Sequence, residues 1–381
     1  MPKLNIVADQ NMPLVQELFA EYGNVRLLPG RDISAADLQD ADVLLVRSVT
    51  QVNQQLLAGS PVKFVGSATI GTDHIDLGYL EQSDIQFSHA PGCNAEAVVQ
   101  YDLSVMCRLM PDWQEKKVGI VGCGNVGGRL YKRLQDLGVS CAVYDPFLSR
   151  ADIPDLGELE AVLDCDIICL HTPITAEGEY PTHHLLDMDR LRLIKPDALL
   201  INAGRGAVID NRALLELFRG GSTLQVALDV WETEPHIDVD LMSFVAMATP
   251  HIAGYSLEGK VNGTGMVFDA FRVWADLVVT EKLQVADPMA SMASRDESSL
   301  LLEPESLNEA ILDCYDVAMD DERMRDVIRA CESAGLEKAE RALAFDRLRK
   351  EYPVRREFSH YRVDLSVEGL AQYLSLGFVI A

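Results

Sequence analysis

The sequence is poor in the features that would direct it to a membrane or to nucleic acid. It has no apolar run near the ~20 residues that span a bilayer, and its start, MPKLNIVADQ, lacks the basic residues and apolar run of a secretion signal. Basic residues are scarce, because 33 Lys and Arg stand against 59 Asp and Glu, a formal net charge of −26. So acidic a surface repels phosphodiester backbones and anionic bilayers, and we expect neither nucleic acid nor a membrane as partner.

Cysteine is sparse, and its placement indicates no metal site. The eight cysteines lie mostly inside apolar segments such as DCDIICL. Cys165 and Cys169 lack a second Cys or His pair at zinc spacing. We therefore expect buried free thiols, no metal, and a reducing cytoplasm as the compartment.

The pattern along the chain predicts two α/β domains. With 381 residues, 48% of them hydrophobic, the chain can build sizeable cores. Short apolar runs (LNIVAD, ADVLLVRS, VKFVGSA) alternate with helical patterns such as Met12–Tyr22, which indicates a parallel sheet covered on both faces. From Lys116 the pattern restarts with KKVGIVG, SCAVYD, DIICLHT, DALLINAG and LQVALDV, a second doubly wound unit of the Rossmann type.

The remaining segments predict a third domain and a discontinuous first one. The amphipathic stretch VNGTGMVFDAFRVWADLV should pack back onto the first unit, and the polar segment from Gln284 to Ser299 reads as a linker. We predict a fold of class α/β, with two doubly wound Rossmann-like domains plus a small C-terminal α+β domain. The predicted domains are 1–93 with 257–283, then 94–256, then 284–381.

A dinucleotide site is predicted at the first turn of the second unit. The residues Gly122, Gly124, Asn125, Val126 and Gly127 fit the pattern G-x-G-x-x-G between a strand and a helix. The glycines permit the tight turn and the approach of the pyrophosphate, and the N–H groups at the helix start bind its phosphates. Asp145 closes the next strand, where an acid binds the ribose hydroxyls and repels a 2′-phosphate. The expected cofactor is NAD.

Three later segments carry candidate catalytic residues, namely Arg205 in INAGRGAVID, Glu234 in LDVWETEP and His251 in TPHIAGY. Reduction of a 2-oxo acid needs a guanidinium that holds the carboxylate and polarises the carbonyl. It also needs an acid–base group active near neutrality, and a carboxylate that orients this group. Arg205, His251 and Glu234 meet these needs in that order.

The strings GCGNVG, NAGRGAVID, DVWETEP and PHIAG resemble the signature blocks of the D-isomer-specific 2-hydroxyacid dehydrogenases. The resemblance covers roughly residues 1–283. It implies a substrate domain (1–93 with 257–283), an NAD domain (94–256), a cleft that closes over the substrate, and a catalytic set of Arg205, Glu234 and His251. The positions that it places beside the cofactor are Asp145, Thr172, Asp229 and Gly254.

Other strings indicate one group within that family, which acts on a small phosphorylated hydroxyacid. They are LLVRSVTQVN, FVGSATIGTDHID, APGCNAEAVVQY and TPHIAGYSLEGK. This closer resemblance implies Ser48, Thr69 and Tyr255 as substrate residues, to which we add Arg47 as a candidate phosphate ligand. It also implies that segment 284–381 holds a homodimer together. The apolar spacing of Leu307, Ile311, Tyr315 and Met319 indicates an interface there.

Two other interpretations share these motifs. The first is a related enzyme, either 3-phosphoglycerate dehydrogenase or a hydroxypyruvate or glyoxylate reductase, which has the same catalytic set. The second is an NAD-sensing binding protein like the C-terminal-binding-protein corepressors, which retain the same three residues. A turnover assay with phosphorylated hydroxyacids separates all of them.

Overall fold

The structure is a computed structural model that describes residues 3–278, 300–364 and 369–381. The chain forms two compact units, Met1–Asn94 with Ser256–Ser299 and Ala95–Tyr255 with Leu300–Ala381. The predicted linker lies outside the described residues. The division into three domains stays a prediction. Clustering into two compact units places Leu300–Ala381 with Ala95–Tyr255 but does not show which segment has which function. Among the described helices, none is long and apolar enough to cross a membrane.

The first unit contains a five-stranded parallel sheet in the order β2-β1-β3-β4-β5. Its strands are β1 (Leu4–Asp9), β2 (Gly23–Leu28), β3 (Val43–Val46), β4 (Phe64–Ser67) and β5 (Gln86–His89). The predicted strands correspond to β1, β3 and β4, the three central ones. The two edge strands, β2 and β5, are not among the predicted strands. Their residues are partly or largely exposed, so they lack the continuous apolar run of a strand buried on both faces.

Helices cover both faces of this sheet. They are Val15–Phe19, Gln54–Leu57, Leu77–Gln82 and Leu257–Val278. The last of these is 22 residues long and places Val267, Phe268 and Phe271 in one core with Phe19 and Phe64. The ring of Phe19 packs edge-on against Phe268 and tilted against Phe271, with ring centroids 5.1 Å and 4.9 Å apart.

The second unit contains a six-stranded parallel sheet in the order β11-β10-β9-β8-β6-β7. Its strands are β6 (Val118–Val121), β7 (Cys141–Tyr144), β8 (Ile167–Leu170), β9 (Leu199–Asn202), β10 (Gln225–Leu228) and β11 (Met247–Ala248). The five predicted strands are all present. Chain order reverses between β6 and β8, and ligands of such sheets bind at the carboxyl ends of the strands beside this point.

Helices flank the second sheet as well. They are Ala95–Leu109, Asn125–Asp136, Leu159–Leu163, Met188–Leu191, Asn211–Arg219 and Val239–Phe244. Ala95–Leu109 is buried along nearly its whole length, which explains its unusually apolar sequence. The α/β fold with two Rossmann-like sheets is confirmed.

The C-terminal segment packs onto this second unit. Its helices are Leu307–Cys314, Val317–Ser333, Lys338–Lys350 and Leu370–Leu376, and its strands are β12 (Leu300–Leu302), β13 (Tyr361–Val363) and β14 (Val379–Ile380). The strands form a parallel sheet in the order β12-β13-β14. Side chains from the segment enter both hydrophobic cores of the unit, as Ile311 does in one and Phe345 in the other.

This packing corrects the predicted dimer face. Leu307, Ile311 and Tyr315 are buried in the core of their own chain, whereas Met319 is 64% exposed. The apolar spacing of these residues therefore reflects intrachain packing, because helix Leu307–Cys314 covers helix Ala95–Leu109. The eight cysteines, all described, are buried and free, as expected.

Candidate active site

The glycine-rich turn follows β6 and has the geometry of a phosphate cradle. Gly122 has φ +86°, a region that favours glycine. A Cβ on Gly127 would lie 1.9 Å from the carbonyl oxygen of Gly122, so only glycine lets the helix start this close to the strand. Gly124 caps helix Asn125–Asp136 without a side chain, and a Cβ there would meet nothing within 4 Å. The open space before the helix N-terminus fits a pyrophosphate.

Asp145 lies directly after β7 and holds the turn by its carboxylate. Oδ2 accepts a hydrogen bond from the backbone N–H of Cys123 at 2.9 Å, and Oδ1 accepts one from Phe147 at 3.0 Å. Each oxygen keeps a further lone pair for a ribose hydroxyl. The carboxylate thus links the position of the glycine turn to the ribose site that the sequence predicts.

Thr172 follows β8, on the other side of the point where chain order reverses. Its Oγ1 is buried and has no hydrogen-bond partner within the described part of the chain. Its methyl carbon would lie 2.9 Å from a Cβ on Gly122, so the two loops are in direct contact. A buried hydroxyl without a partner beside the cradle fits a bound dinucleotide that supplies the missing acceptor or donor.

Asp229 follows β10 and fastens the loop that carries His251. It is 1% exposed, and its carboxylate accepts hydrogen bonds from the N–H groups of Ile252 and Ala253, both at 2.8 Å. Oδ1 also accepts one from the hydroxyl of Thr249 at 2.7 Å. Burial raises the pKa of Asp229, against the opposing effects of His251 and these bonds. The carboxylate of Asp229 therefore fixes the conformation of the loop that carries His251.

His251 and Glu234 form a close pair. Nδ1 of His251 lies 2.5 Å from Oε1 of Glu234, and Oε2 accepts a hydrogen bond from the N–H of Trp231 at 3.3 Å. Burial acts to raise the pKa of Glu234, but the charge and hydrogen bond of His251 and the charge of Arg349 outweigh it and lower that pKa. Glu234 is thus a carboxylate at neutral pH, and it faces the Nδ1 side of the His251 ring.

Arg205 lies on the loop after β9, which packs against the loop of Glu234. A Cβ on Gly206 would lie 2.0 Å from the carbonyl carbon of Trp231, so the small residue after Arg205 permits this approach. The backbone carbonyl of Arg205 accepts a hydrogen bond from Asn202 at 3.0 Å, which fixes the loop. The loops of all three predicted catalytic residues therefore lie at the carboxyl ends of neighbouring strands, β9, β10 and β11.

Tyr255 follows Gly254 at the end of the His251 loop and contacts the C-terminal segment. Its ring centroid lies 5.7 Å from that of Tyr352 in an edge-on arrangement. The guanidinium carbon of Arg349 lies 5.9 Å from the centroid of the Tyr255 ring. Arg349 is not among the residues predicted from the sequence, and it lies in a basic stretch, Arg347–Arg356, that carries no motif.

The predicted substrate residues of the first unit lie at strand ends. Arg47 and Ser48 follow β3, and Ser48 is exposed. Thr69 follows β4, and its hydroxyl lies 2.8 Å from that of Ser67. The hydroxyl of Ser67 in turn lies 3.0 Å from Nε2 of His74. The hydroxyl of Thr69 is therefore held by its own unit.

Two further histidines, to which the sequence assigned no chemistry, have carboxylate partners. Nε2 of His171 lies 3.1 Å from Oδ2 of Asp102, and both side chains are almost completely buried. Nε2 of His184 lies 2.7 Å from Oε1 of Glu232. The ligand atoms of His183, His184 and Glu232 lie within 4.8 Å of one another. The hydrogen bond between His184 and Glu232 accounts for the closeness of these three side chains without a metal ion. That the protein binds no metal stays a prediction.

Comparison with known proteins agrees with this geometry. Residues 100–253 match the family model described as D-isomer specific 2-hydroxyacid dehydrogenase, NAD binding domain. Residues 288–377 match a model described as a domain of unknown function (DUF3410).

Among solved structures, similar chains include a 3-phosphoglycerate dehydrogenase from Entamoeba histolytica with bound NAD⁺. Its TM-score is 0.63 at 22% identity, over 75% of this chain and 99% of that one. A D-lactate dehydrogenase from Aquifex aeolicus, complexed with NAD and lactic acid, has a TM-score of 0.62 at 22% identity. That match covers 74% of this chain and 100% of the other. At this identity the two structures support the fold alone.

Curated relatives resemble the chain along almost its whole length. An erythronate-4-phosphate dehydrogenase of Teredinibacter turnerae is 47% identical over 378 residues, 98% of each chain. One of Cellvibrio japonicus is 47% identical over 369 residues, 97% of each chain. The chain therefore belongs to the erythronate-4-phosphate dehydrogenase family, with the NAD-binding domain of the D-isomer specific 2-hydroxyacid dehydrogenases.

Proposed function

We propose that the chain oxidises 4-phospho-D-erythronate at C2 to 3-hydroxy-2-oxo-4-phosphooxybutanoate, in the biosynthesis of pyridoxal 5′-phosphate (vitamin B6). The observation that carries the proposal is the His251–Glu234 pair, 2.5 Å apart, in a chain of this family. Bound NAD supplies the hydride acceptor for C2. The Gly122–Gly127 turn, Asp145 and Thr172 would hold it, and Asp229 and Gly254 are the further candidates on the cofactor side.

In this proposal the residues of the chain handle the proton and the substrate. Nε2 of His251 accepts the proton of the 2-hydroxyl, since Nδ1 faces Glu234. The resulting imidazolium is stabilised by the Glu234 carboxylate. Arg205 binds the substrate carboxylate with its planar fork and draws electron density from the oxygen at C2. As substrate residues we propose Ser48, Thr69 and Tyr255, with Arg47 as a candidate ligand of the phosphate.

The test is a comparison of kcat/KM for 4-phosphoerythronate, 3-phosphoglycerate and unphosphorylated erythronate. We expect 4-phosphoerythronate to be used best, and removal of its phosphate to lower kcat/KM by well over tenfold. If 3-phosphoglycerate is preferred, or loss of the phosphate costs less than about tenfold (~1.4 kcal/mol), the substrate assignment is wrong. Binding of NAD without turnover of any of the three would favour the binding-protein interpretation.

We also propose a cytoplasmic homodimer formed by the C-terminal segment. Free thiols at all eight cysteines support a reducing compartment. Leu343 and Val354 expose 66% and 77% of their surface, the largest exposed fractions among the large apolar side chains described in this segment, so a partner would bury most area on them. Sedimentation velocity should give about twice the 42.0 kDa chain mass.

The double variant Leu343→Asp, Val354→Asp should sediment as a monomer. The control Val273→Asp changes a side chain that is 67% exposed in the first unit and should leave the dimer intact. A dimer that survives the double substitution would place the interface elsewhere.

A further inference from the structure

Arg349 is a cation of the C-terminal segment that lies in the interior rather than on a solvated helix face. It occupies the last turn of helix Lys338–Lys350, and its side chain is 18% exposed. Its Nε is buried and has no hydrogen-bond partner within the described residues. A guanidinium is rarely buried unless it is paired or bound to a ligand.

The neighbours of Arg349 belong to the proposed active site. Its guanidinium faces the ring of Tyr255 at 5.9 Å. Burial acts to lower the pKa of Arg349, but the Tyr255 hydroxyl and the charges of Glu234 and Asp346 outweigh burial and raise it. Nη1 lies 4.0 Å from Oδ1 of Asp346, at the outer limit of an ion pair. Arg349 is therefore a fixed positive charge close to Tyr255 and Glu234.

The surrounding segment holds this position firmly. Tyr352 packs edge-on against Tyr255, and its hydroxyl donates to Asp320 at 2.6 Å. Arg355 is 6% exposed and donates hydrogen bonds to the backbone carbonyls of Ala253 and of Ala97. The segment is thus anchored both to the loop of His251 and to the body of the unit.

The charge of the substrate requires such a residue. 4-Phosphoerythronate has a carboxylate at one end and a phosphate at the other, while the chain has a formal charge of −26 and Glu234 lies in the site itself. Arg205 would serve the carboxylate, so the phosphate needs a cation of its own, and Arg349 adds to Arg47, the candidate from the first unit. A guanidinium fork beside a tyrosine hydroxyl offers several donors to the oxygens of a phosphate.

We propose that Arg349, together with Tyr255, binds the phosphate of the substrate and selects phosphorylated hydroxyacids. This proposal rests on the proposed function, and it gives a segment that matches a domain of unknown function a direct part in substrate recognition. The same contacts also allow a different role, in which Arg349 only positions Tyr255 and Glu234. The two roles differ in one respect: only phosphate binding makes the effect of an Arg349 substitution depend on whether the substrate carries a phosphate.

The experiment compares kcat/KM for 4-phosphoerythronate and for unphosphorylated erythronate in three proteins. In Arg349→Gln we expect kcat/KM for 4-phosphoerythronate to fall at least 30-fold, mainly through KM, and kcat/KM for erythronate to change by less than about threefold. The matched control Arg347→Gln alters an exposed arginine of the same helix and should leave both values unchanged. Circular dichroism and thermal melting establish that each variant is folded.

An equal loss for both substrates, or no loss for either, would overturn the phosphate role of Arg349. If Arg349→Gln does not fold, Arg349→Lys is compared in its place, and a selective loss for the phosphorylated substrate is again required. Inorganic phosphate, used as a competitive inhibitor, should bind more weakly to Arg349→Gln or Arg349→Lys than to the wild type. A wild type that does not prefer 4-phosphoerythronate over erythronate would contradict the proposed function itself, whereas an intact preference without a selective loss contradicts only the role of Arg349.

Discussion

Nδ1 of His251 lies 2.5 Å from Oε1 of Glu234. The backbone of His251 has φ +57°, a left-handed conformation that costs a non-glycine residue roughly 1–2 kcal/mol. Three hydrogen bonds to Asp229 from the residues flanking His251 keep the loop in this shape. The imidazole is thus oriented from both sides, by its backbone and by its carboxylate partner. Such strain is frequently found where a side chain must be aimed at a ligand.

Glu234→Gln should change the pH dependence of the oxidation reaction. Neutral His251 must accept the hydroxyl proton, so the rate rises with pH on the acid side of the profile. The Glu234 carboxylate, with its lowered pKa, favours the protonated imidazole. Removing its charge should therefore move the acid limb of kcat/KM to lower pH.

The control for this experiment is Glu232→Gln, two positions earlier in the chain. Its carboxylate pairs with His184 and with the N–H of Asn211, so the acid limb should stay in place. An unchanged limb in Glu234→Gln would mean that the pair is not coupled during catalysis.

Arg205→Lys should fold normally and lose most activity, because an ammonium group cannot replace a bidentate fork. The loss of one charged hydrogen bond, about 1.5–3 kcal/mol, corresponds to roughly a tenfold to hundredfold fall in kcat/KM. Arg212→Lys is the control, since that side chain is 89% exposed on the following helix. Near-wild-type turnover in a folded Arg205→Lys variant would remove Arg205 from the mechanism.

Asp145→Ala should weaken the binding of NAD and reduce the ratio of the affinity for NAD to the affinity for NADP. The carboxylate both repels a 2′-phosphate and holds the N–H of Cys123 in the glycine turn, so two effects on NAD add. Dissociation constants for both dinucleotides, measured by quenching of intrinsic fluorescence, test this. Asp152→Ala, at an exposed position, is the control. A wild-type preference for NADP would show that the role assigned to this carboxylate is wrong.

The sequence predicted the central strands and the loops that carry the candidate catalytic residues, because both have local signals. Buried strands such as β8 are continuous apolar runs, and the turn at Gly122 has a fixed spacing of glycines. Arg349 has no such signal. Its contact with Tyr255 joins residues 94 positions apart, and local periodicity near residue 350 cannot distinguish a cation that enters a site from one that faces solvent.

The assignment of Leu307, Ile311 and Tyr315 to a dimer interface was wrong for a related reason. Apolar spacing in helix Leu307–Cys314 shows that one face is covered, but it does not show by what. The covering surface proved to be helix Ala95–Leu109 of the same chain. Since the C-terminal segment shares its cores with the second unit, a truncation near residue 285 would expose those cores, and surface substitutions test the dimer better.

The buried pair of Asp102 and His171 should lower stability as the pH rises. Burial raises the pKa of Asp102 above that of an unfolded chain, and this outweighs the opposing effect of His171. A carboxyl group with a raised pKa contributes its full stability below the unfolded pKa of about 3.9 and loses that contribution as the pH rises through the folded value. Asp102→Asn removes the ionisation and keeps nearly the same side-chain volume. We therefore expect Asp102→Asn to be more stable, relative to the wild type, at pH 8 than at pH 5. Urea denaturation at both pH values measures this difference, with Asp136→Asn, an exposed aspartate of helix Asn125–Asp136, as the control that should show none. If Asp102→Asn is instead relatively less stable at pH 8, the pair is ionised and stabilising in the folded protein, and it then holds helix Ala95–Leu109 against the end of β8 beside the glycine turn.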